Sequence, residues 1–181
     1  MSKILSAVLI FALLLTLGSC DGAKESRADL FDGAFMSEFH YVDGDLSIRA
    51  RLEAEANKSD GAKRDIRLTF LEPDSLLGIC VERHSEIYEM SYSGVRISSE
   101  AAAALAEMVE LFECDGEVIS SEIVSYEGQR AELLRIKRFD GSELSLYSDT
   151  ENCMPICIVG SVGEREVNLH IITFEKFGER K

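Results

Sequence analysis

The chain has 181 residues, 46% of them hydrophobic and 29% charged, a composition of folded globular proteins rather than of disordered tails. Its length suffices for one domain with a real core and is short for two. Lys and Arg number 19 against 33 Asp and Glu, and the net charge of −14 repels phosphate, which argues against nucleic acid as a partner and against lying flat on an anionic bilayer.

In chain order, Lys3 supplies the one charged side chain of the first nineteen residues, and an apolar run follows from Ile4 to Leu17, interrupted only by Ser6 and Thr16. The run has the length of a signal-peptide core, whereas crossing a bilayer takes roughly 20 apolar residues. It ends in Leu17-Gly18-Ser19-Cys20, which resembles the lipobox of bacterial lipoproteins. That family more often has Ala or Ser at the second place and Gly or Ala at the third, and Gly18 and Ser19 keep the requirement for small side chains. The resemblance implies cleavage before Cys20 and a thioether from its thiol to diacylglycerol. The result would be a cell-membrane protein anchored by its acyl chains on the extracytoplasmic face. Asp21 resembles the signal that keeps lipoproteins in the inner membrane of two-membrane bacteria. The expected division is a signal peptide over 1–19, a lipidated tether over 20–27, and a single domain over 28–181.

Leu30, Phe31, Ala34, Phe35 and Phe39 recur at helical spacing, with Ser26 or Asp29 as cap, and predict a helix over 28–39 that Asp43-Gly44-Asp45 breaks. Alternation is then complete: Leu46, Ile48, Ala50, Leu52, Ala54 and Ala56 share one face of an extended segment, and Ser47, Arg49, Arg51, Glu53, Glu55 and Asn57 share the other. Ile66, Leu68 and Phe70 continue the pattern to Pro73-Asp74. Leu77, Ile79 and Val81 make a third run, Tyr88, Met90 and Tyr92 a fourth, Val95 and Ile97 a short fifth. Ser98-Ser99-Glu100 caps a second helix over 99–113, whose apolar stripe is Leu105, Met108, Val109 and Phe112. Strands resume less regularly over 118–126. For 133–146, a two-residue turn at Asp140-Gly141 would set Lys137 against Leu144. A three-residue loop, Phe139-Asp140-Gly141, with Gly141 left-handed, pairs Ile136 with Leu144, Leu134 with Leu146 and Lys137 with Glu143, and is the predicted register. Ile156 and Ile158, then Val167, Leu169 and Ile171, give the last two strands.

Residues that could carry chemistry are few. Beyond Cys20 the cysteines are Cys80, Cys114, Cys153 and Cys157. Two disulfides are permitted outside the cytoplasm, but Cys153 and Cys157 in an extended strand stand roughly 13 Å apart, too far to bridge without a turn at Pro155. Buried free thiols are the favoured reading, with a disulfide left open. Neither Cys spacing nor His40, His84 and His170 forms a metal-ligand pattern. His84 reads as part of a polar turn over 82–86, and His170 as a hydrogen-bonded strand residue. There is no Gly-rich phosphate loop and no nucleophile elbow, so no catalytic residue is assigned and the protein is not expected to be an enzyme. Tyr88, Met90 and Tyr92 form the most suggestive group, because one strand face would carry apolar side chains able to hydrogen-bond. They face either a ligand or the helix stripe of Leu105, Met108 and Phe112.

The element order, the lipobox, and Phe70-Leu-Glu-Pro-Asp-Ser-Leu76 at a strand end together resemble the superfamily of lipoprotein carriers typified by LolA and LolB. The resemblance covers about 29–177. It implies an α+β fold, mainly antiparallel, in which a curved half-barrel sheet holds an N-terminal helix and a mid-chain helix on its concave side around an apolar cavity. Two functions follow as expectations. In one, Tyr88, Met90, Tyr92, Leu105, Met108 and Phe112 face a lipid or other amphiphile in the concavity. In the other the core is full and the protein is a non-catalytic partner of an envelope protein. In both, the membrane is met through the lipid on Cys20, and no cofactor or metal is called for.

Overall fold

The computed structural model describes residues 30–58, 62–98 and 100–177. The expected signal peptide, Cys20 and the expected tether lie outside them. Eleven strands form one antiparallel sheet: β1 (Phe35–Asp43), β2 (Leu46–Ala54), β3 (Ile66–Glu72), β4 (Cys80–His84), β5 (Ile87–Tyr92) and β6 (Val95–Ser98), then β7 (Gly116–Tyr126), β8 (Gln129–Arg138), β9 (Glu143–Asp149), β10 (Pro155–Val162) and β11 (Arg165–Lys176). The order across the sheet is β6-β5-β4-β3-β2-β1-β11-β10-β9-β8-β7. Each half is therefore a meander, and pairing of β1 with β11 joins the halves. The sheet is a curved half-barrel that does not close, and β6 and β7 are its free edges.

Between those edges the chain crosses the concave side as helix α1 (Glu100–Ala106) followed directly by a 3₁₀ segment (Glu107–Phe112). The switch is intelligible from the side chains. A 3₁₀ turn stacks residues three apart, which sets Met108 over Leu111 and Val109 over Phe112, and all four are buried. One α-helix over 99–113, as the sequence suggests, is therefore corrected to seven α residues and a tighter continuation. Leu111 reaches β10 at Gly160, where an added Cβ would lie 2.8 Å from its Cδ2.

The N-terminal helix is the larger correction. Phe35 to Phe39 belong to β1, and among the described residues a short 3₁₀ turn at Leu30-Phe31 precedes it. A separation of four residues suits both periods. Phe35 and Phe39 fit a helix face, but Phe35, Ser37, Phe39 and Tyr41 are all buried on one strand face. Ser37, polar at a position that strand alternation buries, hid the shorter period, and its hydroxyl is satisfied by donating to the Thr173 carbonyl at 3.0 Å.

In β2 period-two burial holds. Ile48, Ala50, Leu52 and Ala54 are inside, while Arg49, Arg51 and Glu53 are not; Leu46 at the strand start and Ala56 beyond its end are exposed. Leu77 lies in an exposed turn rather than a strand, and β4 begins at Cys80. The β8–β9 hairpin has the expected register, Ile136 with Leu144, Leu134 with Leu146 and Lys137 with Glu143. Its loop is closed by Arg138 N–H donating to the Ser142 carbonyl, with Gly141 at φ +87° and the Asp140 carboxylate accepting from Ser142 N–H at 2.8 Å.

Candidate functional site

The concave face decides between the two expected functions, and its middle is packed solid. Phe31, Phe35, Phe39, Phe112 and Phe174 meet there with ring centroids 5.3–5.7 Å apart, and each is at most 6% exposed. Four of these six ring pairs are edge-to-face and two are tilted, the close, varied contacts of a jigsaw core. The 3₁₀ segment seats Phe112 in the centre of the cluster, and the turn at Phe31 closes it from below β1.

Beside the cluster lie two buried guanidinium groups. Arg83 is 0% exposed and Arg64 4%. Arg83 Nη2 donates to Glu113 Oε1 at 2.6 Å, and its Nε donates to the Arg64 carbonyl at 3.1 Å. Arg64 Nη1 donates to the Phe31 carbonyl, and its guanidinium stands 5.5 Å from the Phe35 ring centroid. Burial lowers the Arg64 pKa. At Arg83 burial acts in the same sense, but interactions with Tyr88 and Glu113 outweigh it and the pKa is raised. The network pins the end of the 3₁₀ segment to β4. Arg83 escaped the sequence reading because Glu82-Arg83-His84 looks like a polar turn. The available signal was alternation: Val81 and Arg83 share one face of β4.

The six residues expected to face a ligand divide accordingly. Met108 and Phe112 are core, 5% and 1% exposed. Tyr88, Met90 and Leu105 are half-buried at the margin of that core. Tyr92 is 58% exposed, and beside it the sheet carries Val95 and Ile97, also exposed, which pair with Tyr92 and Met90 respectively. The structure thus gathers Tyr88, Met90, Tyr92, Val95 and Ile97 into an apolar rim along the β5–β6 edge. Val95 and Ile97 belong to it for a reason visible in the sequence, two apolar residues alternating on a four-residue strand.

On the convex side the two halves differ. Over β1–β3 the surface is ionic: the Glu38 carboxylate takes Arg49, and Arg51 at 3.5 Å, and Arg49 also reaches Glu72 at 3.3 Å. The hydrogen bond from Arg49 holds the Glu38 pKa below the usual carboxylate range. Over β7–β11 a second cluster forms. Tyr126 lies on Tyr147 with centroids 4.4 Å apart, its hydroxyl is 3.4 Å from His170 Nδ1, and Leu133, Ala131 and Cys157 are buried beneath.

The four cysteines among the described residues are free, with Cys80, Cys114 and Cys157 buried and Cys153 half-buried. Burial pushes the Cys114 thiol up to about 12 and raises that of Cys157, so neither is a thiolate at neutral pH and both serve as packing groups. Among the described residues no group of His, Cys, Asp and Glu is placed to hold a metal ion, and no helix is long and apolar enough to cross a membrane. An open, polar depression of about 610 Å³ lies at the far end of the sheet, lined by Ile123, Gln129, Arg130, Asp149, Thr150 and Glu151.

No family model matches the chain, and no curated protein matches it in sequence. Solved structures do match in shape. An uncharacterized conserved protein from Thermus thermophilus is 15% identical, with a TM-score of 0.50 over 84% of this chain and 85% of that one. A chain of the Pseudomonas aeruginosa MucA/MucB complex is 16% identical, with a TM-score of 0.45; 85% of this chain is covered but only 56% of that one. A LolA superfamily protein from Nitrosomonas europaea is 10% identical, with a TM-score of 0.40 over 84% and 91% of the two chains. At such an identity the likeness to the Thermus thermophilus protein is one of fold alone.

Proposed function

We propose that this chain is a non-catalytic, extracytoplasmic lipoprotein, held on a bacterial membrane through Cys20, that works by binding an envelope protein rather than by carrying lipid inside its half-barrel. The observation that carries the reading is the Phe31, Phe35, Phe39, Phe112 and Phe174 cluster, which occupies the space an acyl chain would need. Overfilling such a core costs about 1–3 kcal/mol for even a few added methylenes. The lipobox supports the anchor. Burial keeps Cys114 and Cys157 in the thiol form.

The test is native mass spectrometry of the full chain extracted in mild detergent. The expected mass is that of the chain with its covalent acyl groups alone; a stoichiometric non-covalent lipid overturns the reading. The anchor is checked separately by fatty-acid labelling of Cys20→Ala, where undiminished label removes it.

A second reading has its own observation. The exposed rim of Tyr92, Val95 and Ile97, continuous with Tyr88 and Met90, could take an amphiphile at the edge rather than in the middle. A photo-crosslinking side chain at Ile97 separates the two: a protein-sized adduct supports the first reading and a lipid-sized adduct the second.

A further inference from the structure

The two free edges of the sheet are not equally protected. β6 is four residues long, and Arg96 on it is engaged with Glu82 and Glu89 at 3.6 Å each. Short, charged edge strands resist pairing with another chain. β7 is eleven residues long, pairs among the described residues only with β8, and is exposed at every position from Glu117 to Ile123. Its one irregularity, between Val118 and Ser120, leaves the stretch from Ser120 to Tyr126 in regular register with β8.

The hairpin that ends β7 fixes which backbone groups are free. Its loop is Glu127-Gly128, both at positive φ (49° and 82°), between the paired residues Tyr126 and Gln129. In a two-residue loop of this kind the flanking pair exchanges both hydrogen bonds, and bonded and non-bonded pairs then alternate along the ladder. Tyr126, Val124 and Glu122 therefore bond to β8, and Ser125, Ile123 and Ser121 turn their N–H and C=O groups to the open edge.

We infer that this edge pairs with the same edge of a second copy of the chain, in antiparallel register with Ile123 opposite Ile123 of the other copy. The segment is self-complementary about that residue. Ile123 meets Ile123, Ser121 meets Ser125, Glu122 meets Val124, and Ser120 meets Tyr126, so no like charges oppose each other. All three outward-turned residues are used, forming roughly six backbone hydrogen bonds. Shifting the centre to Glu122 would set two carboxylates face to face. A centre at Ser121 would run into the irregularity at Val118, and one at Val124 would leave Ser121 without a strand partner. Glu122 keeps Arg135 at 3.8 Å and Ser121 keeps its hydrogen bond to Glu132 at 2.6 Å, so the edge brings little unpaired charge of its own. The two-fold axis stands perpendicular to the sheet, which leaves both concave faces, and both rims, on one side. The pairing goes beyond the function proposed above and does not depend on it. A lipid found in the concavity would leave it intact.

The experiment uses the full chain in membranes of cells that produce it, oxidised and run without reductant. Residues opposed in a bonded antiparallel pair have Cα atoms about 5.5 Å apart, within disulfide range. Ile123→Cys is expected to give a band at twice the chain's mass that reductant removes. Chains carrying Ser121→Cys and Ser125→Cys, produced together, are expected to cross-link more than either alone. The unsubstituted chain and Arg96→Cys, on the opposite edge, report background and random collision. If Ile123→Cys cross-links no more than Arg96→Cys, or the Ser121 and Ser125 mixture no more than its components, the pairing is overturned. All these positions are exposed or half-exposed, so folding is not at stake.

Discussion

The two halves of the sheet share one concave core but treat their convex faces differently. In β1–β3 the outer face is a ladder of carboxylates and guanidinium groups, and burial belongs to the inner face alone. In β8–β10 both faces bury something. Leu133 and Leu134 are adjacent and both under 6% exposed, as are Cys157 and Ile158, because Tyr126 and Tyr147 cover the outside. One half is a sheet with a wet side, and the other is thicker. The difference accounts for which elements could be read without coordinates. β2 shows an unbroken two-residue period because nothing on its outer face competes. β7 and β10 do not, because an edge strand exposed on both sides and a strand buried on both sides each lack contrast.

Four measurements can break or sharpen that comparison. The largest effect is expected where the halves meet under the 3₁₀ segment: Phe112→Ala should lower unfolding free energy by about 3–5 kcal/mol in urea titrations, since a ring in contact with Phe31, Phe35 and Phe39 leaves a cavity that cannot collapse. Next is the outer cluster. Leu133→Ala should cost about 2 kcal/mol or more, as a buried aliphatic group does. Its counterpart on the ionic side, Arg51→Ala, should cost less than about 1 kcal/mol and lose that effect in high salt. Equal costs for Leu133→Ala and Arg51→Ala would erase the distinction between the two convex faces. The smallest effect is a pH dependence in the first half. The hydrogen bond from Lys58, then the one from Ser85 N–H, lowers the Asp65 pKa to about 2. A depressed carboxylate stabilises the fold above its unfolded value of about 3.9 and ceases to do so as pH falls toward 2. Asp65→Asn should therefore be less stable than the parent at pH 6, the difference shrinking as pH falls and vanishing only below about 2, read as the shift in urea midpoint.

The candidate site was legible in part, and for the same physical reason. Tyr88, Met90 and Leu105 sit where a strand face and a helix stripe converge, which periodicity reveals. That Phe112 lies inside the Phe cluster, with Met108 in the same core, depended on β1 being a strand, and the four-residue spacing of Phe35 and Phe39 concealed it. The buried Arg83 was hidden by its charged neighbours. The β8–β9 register was recoverable because only one loop length puts Lys137 beside Glu143 rather than on Leu144.

The join between β1 and β11 has a consequence for how the chain comes to be folded. The hydroxyl of Ser37 finds its acceptor 136 residues away, so the first strand made must wait for the last before its second side is covered. Closing so long a loop is entropically slow compared with the local hairpins on either side. During synthesis β1 is a temporary margin, its backbone open to wrong pairing. A chain cut short before Arg165 would keep that margin permanently, and aggregation rather than loss of any binding surface would be its first symptom.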